Sequence, residues 1–130
     1  VKPIILLVDD SLMIHRVVGQ ILTEAGFKVL KAYNGKKGYD MAKTWKPDLI
    51  IMDIEMPEMN SIESTTLIKS DPITSTIPTI IFTSLGSEDD IKLAYKTGAK
   101  GFLNKPVSKD DLLKTVQELL DKKGYSSTNA

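Results

Sequence analysis

The sequence predicts a doubly wound α/β domain, a five-stranded parallel sheet with five helices on its two faces. Three observations predict it. Apolar runs of four or five residues, too short for helices, recur five times along the chain. Segments of helical period separate them, so β and α alternate throughout. The run from Asp48 to Met52 is apolar at nearly every position, as in a strand covered on both faces.

Taken in order, Ile4 to Val8 reads as the first buried strand, ending at the acidic pair Asp9 and Asp10. Ser11 or Asp10 can cap the next helix, whose apolar positions Ile14, Val17, Val18, Ile21, Leu22 and Ala25 share one face. Gly26 closes it. Lys28 to Ala32 alternates more and reads as a strand near an edge. Asn34-Gly35 marks a turn, and Tyr39, Ala42 and Trp45 give a modest helical face before Pro47.

The strand ending at Met52 delivers Asp53, and Met56-Pro57 then turns the chain. A helix is expected from about Ile62 to Ser70, against the poor propensity of Ser64, Thr65 and Thr66, with Asp71-Pro72 ending it. Pro78 to Phe82 is the fourth strand, delivering Thr83 and Ser84. Ser87 and Asp90 form a capping box for a helix that stops at Gly98. Lys100 to Asn104 is the last strand, followed by Lys105-Pro106. Ser108 and Asp111 open an amphipathic helix carrying Leu112, Leu113, Val116, Leu119 and Leu120. Residues 1–124 thus form one domain, and Tyr125 to Ala130 reads as a disordered tail.

At 130 residues, with 42% hydrophobic and 26% charged content, the chain can bury a core as a single domain. Seventeen basic residues balance seventeen acidic ones, so no global charge points to nucleic acid or to a membrane. Without cysteine there is no disulfide framework, thiolate metal site or thiol nucleophile. No apolar run reaches transmembrane length and no secretory leader is visible, so a soluble cytoplasmic domain is expected.

Ligands of open α/β sheets bind at the carboxyl ends of the strands. The polar groups delivered there are few: Asp9, Asp10, Asp53, Thr83 and Lys105. Three carboxylates in one cleft repel one another unless a proton or a cation intervenes. An all-oxygen donor set favours Mg²⁺. A cation held by Asp9, Asp10 and Asp53 leaves one Asp53 oxygen able to attack phosphorus and give an aspartyl phosphate. Such a transfer needs positioning and positive charge, which Lys105 can supply while the Thr83 hydroxyl donates to a phosphoryl oxygen.

On these residues the chain resembles the response-regulator receiver domains, of the single-domain type known from bacterial chemotaxis. The resemblance is carried by Val8-Asp9-Asp10-Ser11, by Met52-Asp53-Ile54-Glu55-Met56-Pro57-Glu58-Met59, by Thr83-Ser84 and by Gly101-Phe102-Leu103-Asn104-Lys105-Pro106. These motifs span residues 4 to 120 in the family's order and spacing. The resemblance implies a flavodoxin-like sheet of order 2-1-3-4-5. It implies Asp53 as the phosphoacceptor, served by a sensor histidine kinase or a small phosphodonor. Mg²⁺ would be held by Asp9, Asp10, Asp53 and the backbone carbonyl of Glu55. It further implies a switch in which Thr83 moves toward the phosphoryl group and Phe102 turns inward. That switch would re-shape a surface for a downstream output protein or domain. The acting form would be a monomer or a phosphorylation-dependent dimer, without direct contact to nucleic acid.

Two positions depart from the family pattern. Ser61 stands where glycine is usual, at a strain of about 1 kcal/mol if that position needs a positive φ. Glu55 adds a carboxylate at the cleft mouth, where it can pair with Lys105 or steer water. Among rival readings, a phosphatase of the haloacid dehalogenase type would carry its Asp-x-Asp on the first strand. A flavodoxin-like electron carrier would need a hydroxyl- and glycine-rich phosphate loop there. A pseudo-receiver, binding partners without phosphorylation, is the remaining alternative. The lone histidine, His15, reads as edging the site on a partner-docking face. Tyr33, Tyr39, Trp45 and Tyr95 read as packing residues, and Lys92, Lys96 and Lys100 as a solvated face.

Overall fold

The structure, a computed structural model, describes residues 2–53, 61–84, 88–96 and 98–122, without the side chains of 61–64, 90, 93 and 94. The strands are β1 (Ile4–Val8), β2 (Lys28–Ala32), β3 (Leu49–Met52), β4 (Thr79–Thr83) and β5 (Gly101–Asn104). The helices between and after them are α1 (Leu12–Glu24), α2 (Gly35–Trp45), α3 (Ser61–Ser70), α4 (Glu88–Lys96) and α5 (Lys109–Lys122). All strand pairings are parallel, in the order β2-β1-β3-β4-β5. The doubly wound architecture expected from the alternation is the one observed.

Strand pleat divides the core in two. Ile5, Leu7, Leu49, Ile51, Ile80 and Phe82 point to one face, where Val18 and Leu22 of α1 and Leu112, Val116 and Leu120 of α5 cover them. Leu6, Val8, Ile50, Met52 and Ile81 point to the other, against Ala42 of α2 and Ile68 of α3. All four residues of β3 are fully buried, each contributing roughly 1.5–3 kcal/mol of transfer free energy. That two-sided burial explains why β3 is apolar without alternation.

Local chemistry sets the boundaries. Ser11 caps α1, its Oγ accepting from the Ile14 N–H at 3.3 Å, and Gly26 leaves the helix with φ 99°. Asn34 is a helix cap as well as a turn residue: its Oδ1 accepts from the Lys37 N–H at 2.8 Å, so α2 starts at once at Gly35. Asp48 falls outside β3, and its carboxylate accepts from the Ile4 N–H at 2.7 Å, closing the amino end of the sheet. Ser108 caps α5 by accepting from the Asp111 N–H at 3.0 Å. Ser61 opens α3. The capping box at Ser87, the Glu55 loop and the tail from Tyr125 lie outside the described residues.

Of the four aromatic residues expected to pack, Trp45 and Tyr95 are corrected. Trp45 is 54% exposed because α2 ends there, with Lys46 in the left-handed region at φ 47° turning the chain away. The buried side of α2 is made by Gly35, Gly38 and the expected Ala42, with Tyr39 packed against the same core. Tyr95 is also exposed, whereas Tyr33 lays its ring against His15 and Tyr39 is half-buried, packed against the core with its hydroxyl bonded to Asp71. Among the described residues, no helix is long and apolar enough to cross a membrane.

Candidate functional site

Register brings the acidic residues together. Val8 pairs with Met52, so Asp9 and Asp53 leave adjacent strands at the same level. The Asp53 N–H donates to the Val8 carbonyl at 2.9 Å and the Asp9 N–H to the Ala32 carbonyl at 3.0 Å. One strand further on, Thr83 ends β4, and its carbonyl accepts from the Lys105 N–H at 2.8 Å. Lys105 follows β5 through a cis peptide to Pro106. Four residues far apart in sequence therefore share one edge because four strands end there.

Asp9, Asp53 and Thr83 are buried, while Asp10 is exposed at the rim. Ligand oxygens of Asp9, Asp10 and Asp53 all lie within 4.8 Å of one another. At that separation two carboxylate charges repel by about 3–4 kcal/mol at an effective dielectric of about 20. Lys105 answers part of this: its Nζ stands 2.8 Å from Asp9 Oδ2 and 3.4 Å from Asp53 Oδ2. Burial pushes the Lys105 ammonium down, but its hydrogen bond to Asp9 and the charges of Asp53 and Asp9 outweigh that and hold it above the usual lysine range. The ring of Phe82 lies beneath the same ammonium, 5.3 Å from Nζ to centroid.

The acid turn is braced from below. Asp9 Oδ1 accepts from the Ser11 N–H at 2.9 Å. Three carboxylates thus face one ammonium among the described residues, and the hard, all-oxygen donor set is of the type that suits Mg²⁺. All the proposed side chains except Phe102 gather at this edge. Phe102, on β5, is half-buried and packs against the α2–α3 side of the core.

With that geometry in view, comparison with known proteins decides the family. Residues 5–117 match the model of the response regulator receiver domain. The chain belongs to the response regulator receiver family. It is 40% identical over 116 residues to Protein PilH of Pseudomonas aeruginosa, covering 89% of this chain and 96% of that one. Among solved structures, it resembles the Vibrio cholerae chemotaxis protein CheY4, with a TM-score of 0.87 and 30% identity over 92% of this chain and 99% of that one. It also shares the fold of the receiver domain of the P. aeruginosa sensor histidine kinase PA1611, solved with a magnesium ion in its active-site cleft. There the TM-score is 0.87, with 23% identity over 93% of this chain and 99% of that one. The chain is therefore a two-component regulatory receiver domain, chemotaxis-like in sequence and fold.

His15 departs from its sequence expectation. The ring is 2% exposed rather than on a docking face, with Nε2 2.7 Å from the Asp9 carbonyl oxygen. Its position on α1, four residues after the Ser11 cap and in line with Val18 and Leu22 on the buried side, is the sequence signal for that burial. Phe82 reads from the sequence as core only. Nothing in the sequence signals that its face meets Lys105, since that contact depends on the path of the chain after β5.

Proposed function

We propose that Asp53 accepts a phosphoryl group in a Mg²⁺-dependent reaction and that the modification switches a protein-binding surface. The observation that carries the reading is the buried Asp53 carboxylate, 3.4 Å from the Lys105 ammonium and within reach of two further acids. Asp9, Asp10, Asp53 and the backbone carbonyl of Glu55 would hold the cation, which when bound supplies positive charge against the phosphoryl oxygens. The magnesium in the cleft of the PA1611 receiver is consistent with this assignment.

In the transfer, an Asp53 carboxylate oxygen bonds to phosphorus as the bond from phosphorus to the donor breaks. With a kinase phosphohistidine the leaving imidazole keeps the bonding pair and takes up a proton. Lys105 shifts from its pairing with Asp9 and Asp53 toward the incoming phosphoryl oxygens, and the Thr83 hydroxyl donates to another. Thr83 and Phe102 then serve as the switch, the aromatic moving inward from its half-buried position. A later attack of water on phosphorus returns the free carboxylate and inorganic phosphate.

The partners of this reading are a sensor histidine kinase and a downstream output protein, with no direct nucleic-acid contact, and the domain acts as a monomer or a phosphorylation-dependent dimer. We assign it to the cytoplasm, where ATP recharges such a kinase, and take residues 1–124 as the working unit. Intact mass after incubation with a small phosphodonor tests the chemistry, on the native chain and on Asp53→Asn, with and without Mg²⁺. One phosphoryl adduct is expected on the native chain with Mg²⁺ and none on the variant. An unmodified native chain that also fails to bind a beryllofluoride mimic would overturn the reading.

A further inference from the structure

We propose that His15 is a positioning residue for the acidic turn, its Nε2–H gripping the backbone carbonyl of Asp9 and so setting where Asp9 and Asp10 present their carboxylates to a cation. The inference rests on the proposed Mg²⁺-dependent phosphoacceptor function of the site. Nε2 lies 2.7 Å from the Asp9 carbonyl oxygen and 3.1 Å from that of Ala32. Both oxygens only accept, so Nε2 carries the hydrogen. Nδ1 is buried, without a hydrogen-bond partner among the described residues. The Tyr33 ring lies against the imidazole at 4.3 Å between centroids, limiting its rotation.

Asp9 is thereby held at four points. Its N–H donates to Ala32, its carbonyl accepts from His15, Oδ1 accepts from the Ser11 N–H and Oδ2 pairs with Lys105. The carbonyl matters most for Asp10. A peptide group is planar, so fixing the Asp9 carbonyl fixes the plane that carries the Asp10 Cα. Asp10 itself is exposed at the rim, so the aim of its carboxylate is set from the backbone rather than by surrounding packing. Mg²⁺ tolerates little departure from octahedral geometry, and groups that orient its ligands from behind influence affinity strongly. Because the Ala32 carbonyl accepts from both His15 and the Asp9 N–H, the imidazole also ties α1 to the ends of β1 and β2.

The test compares His15→Gln, His15→Asn and His15→Met by Mg²⁺ titration calorimetry, with the thermal midpoint of each cation-free protein as control. A glutamine amide reaches about as far as Nε2, whereas asparagine reaches only to the level of Nδ1 and methionine fills space without donating. Asn and Met should weaken Mg²⁺ binding by about tenfold, while Gln restores most of the affinity. A purely structural role would lower the thermal midpoints without separating Gln from Asn in Mg²⁺ affinity, and that result would overturn the proposal. So would native-like affinity in Asn and Met. If Met does not fold, the Gln and Asn pair decides. A native chain that binds no Mg²⁺ would remove the Mg²⁺-dependent phosphoacceptor reading and this inference together, whereas failure in the variants alone removes only the inference.

Discussion

Two clusters of acid and lysine occur among the described residues, and they are built to opposite balances. On the flank between α2 and α3, Asp71 meets Tyr39 and Lys43. The phenol donates to Asp71 Oδ2 at 2.7 Å and the Lys43 ammonium stands 3.2 Å away, while the Ile73 N–H donates to Oδ1 at 2.9 Å. One carboxylate there has a donor for each oxygen and one opposing charge. At the carboxyl edge of the sheet, three carboxylates face the single ammonium of Lys105 among the described residues, and two of them are buried. The first arrangement is complete as it stands and clasps two elements. The second holds surplus negative charge in a low-dielectric place, which favours a cation and then a phosphoryl group. A matched cluster stabilises a fold, and a mismatched one can store a binding site.

The sharpest way to break this comparison is to remove one surplus charge. Asp53→Asn should abolish phosphorylation, yet raise the thermal midpoint of the cation-free protein, because one repulsive partner of Asp9 and Asp10 is gone. A variant that melts below the native chain in the absence of Mg²⁺ would show that the cluster is not frustrated. Conversely, Mg²⁺ should stabilise the native chain by about 2.7 kcal/mol at a hundredfold excess over its Kd, raising its thermal midpoint, and stabilise Asp53→Asn less. Equal stabilisation of both proteins would place the cation elsewhere.

A smaller effect tests how the site's scaffold is held. A Cβ at Gly38 would lie 2.8 Å from Val8 Cγ2 and 2.9 Å from Cγ1. Gly38→Ala should therefore cost about 1–3 kcal/mol by overpacking, partly offset by better helix propensity. Because Val8 precedes Asp9, it should also weaken Mg²⁺ binding. Denaturant melts and calorimetry would separate the two losses.

The smallest expected change lies in the matched cluster. Hydrogen bonds from Tyr39 and the Ile73 N–H, with the Lys43 charge, hold Asp71 below the usual carboxylate range. The hydrogen bond to Asp71 holds Tyr39, and likewise Lys43, above their ordinary values. A lowered carboxylate stabilises above its unfolded pKa and loses that contribution as pH falls through the folded value. A raised phenol or ammonium stabilises below its unfolded pKa and loses that contribution as pH rises through the folded one. Asp71→Asn should flatten both limbs of the stability profile while leaving phosphorylation of Asp53 intact. Loss of phosphorylation in that variant would join the two clusters into one system.

Much of this is legible in the chain itself. Continuous apolar runs at Ile4 to Val8 and Leu49 to Met52 require two-sided burial, and the β–α alternation requires a parallel sheet. Asp9, Asp53, Thr83 and Lys105 are readable because each sits one step beyond an apolar run or at its last residue, where strands must end. Nothing local could say that Lys105 leans closer to Asp9 than to Asp53, or that Phe82 lies under its ammonium. His15 shows the same limit. Its helical position allowed burial, but its grip on the Asp9 carbonyl depends on how α1 packs across the ends of β1 and β2. Periodicity and strand ends are properties of neighbouring residues, so the fold and the delivery of Asp9, Asp53, Thr83 and Lys105 to one edge could be read from the chain alone. Distances between side chains on different strands depend on packing across the sheet, which fixes the Lys105 pairing with Asp9 and the His15 grip on the Asp9 carbonyl.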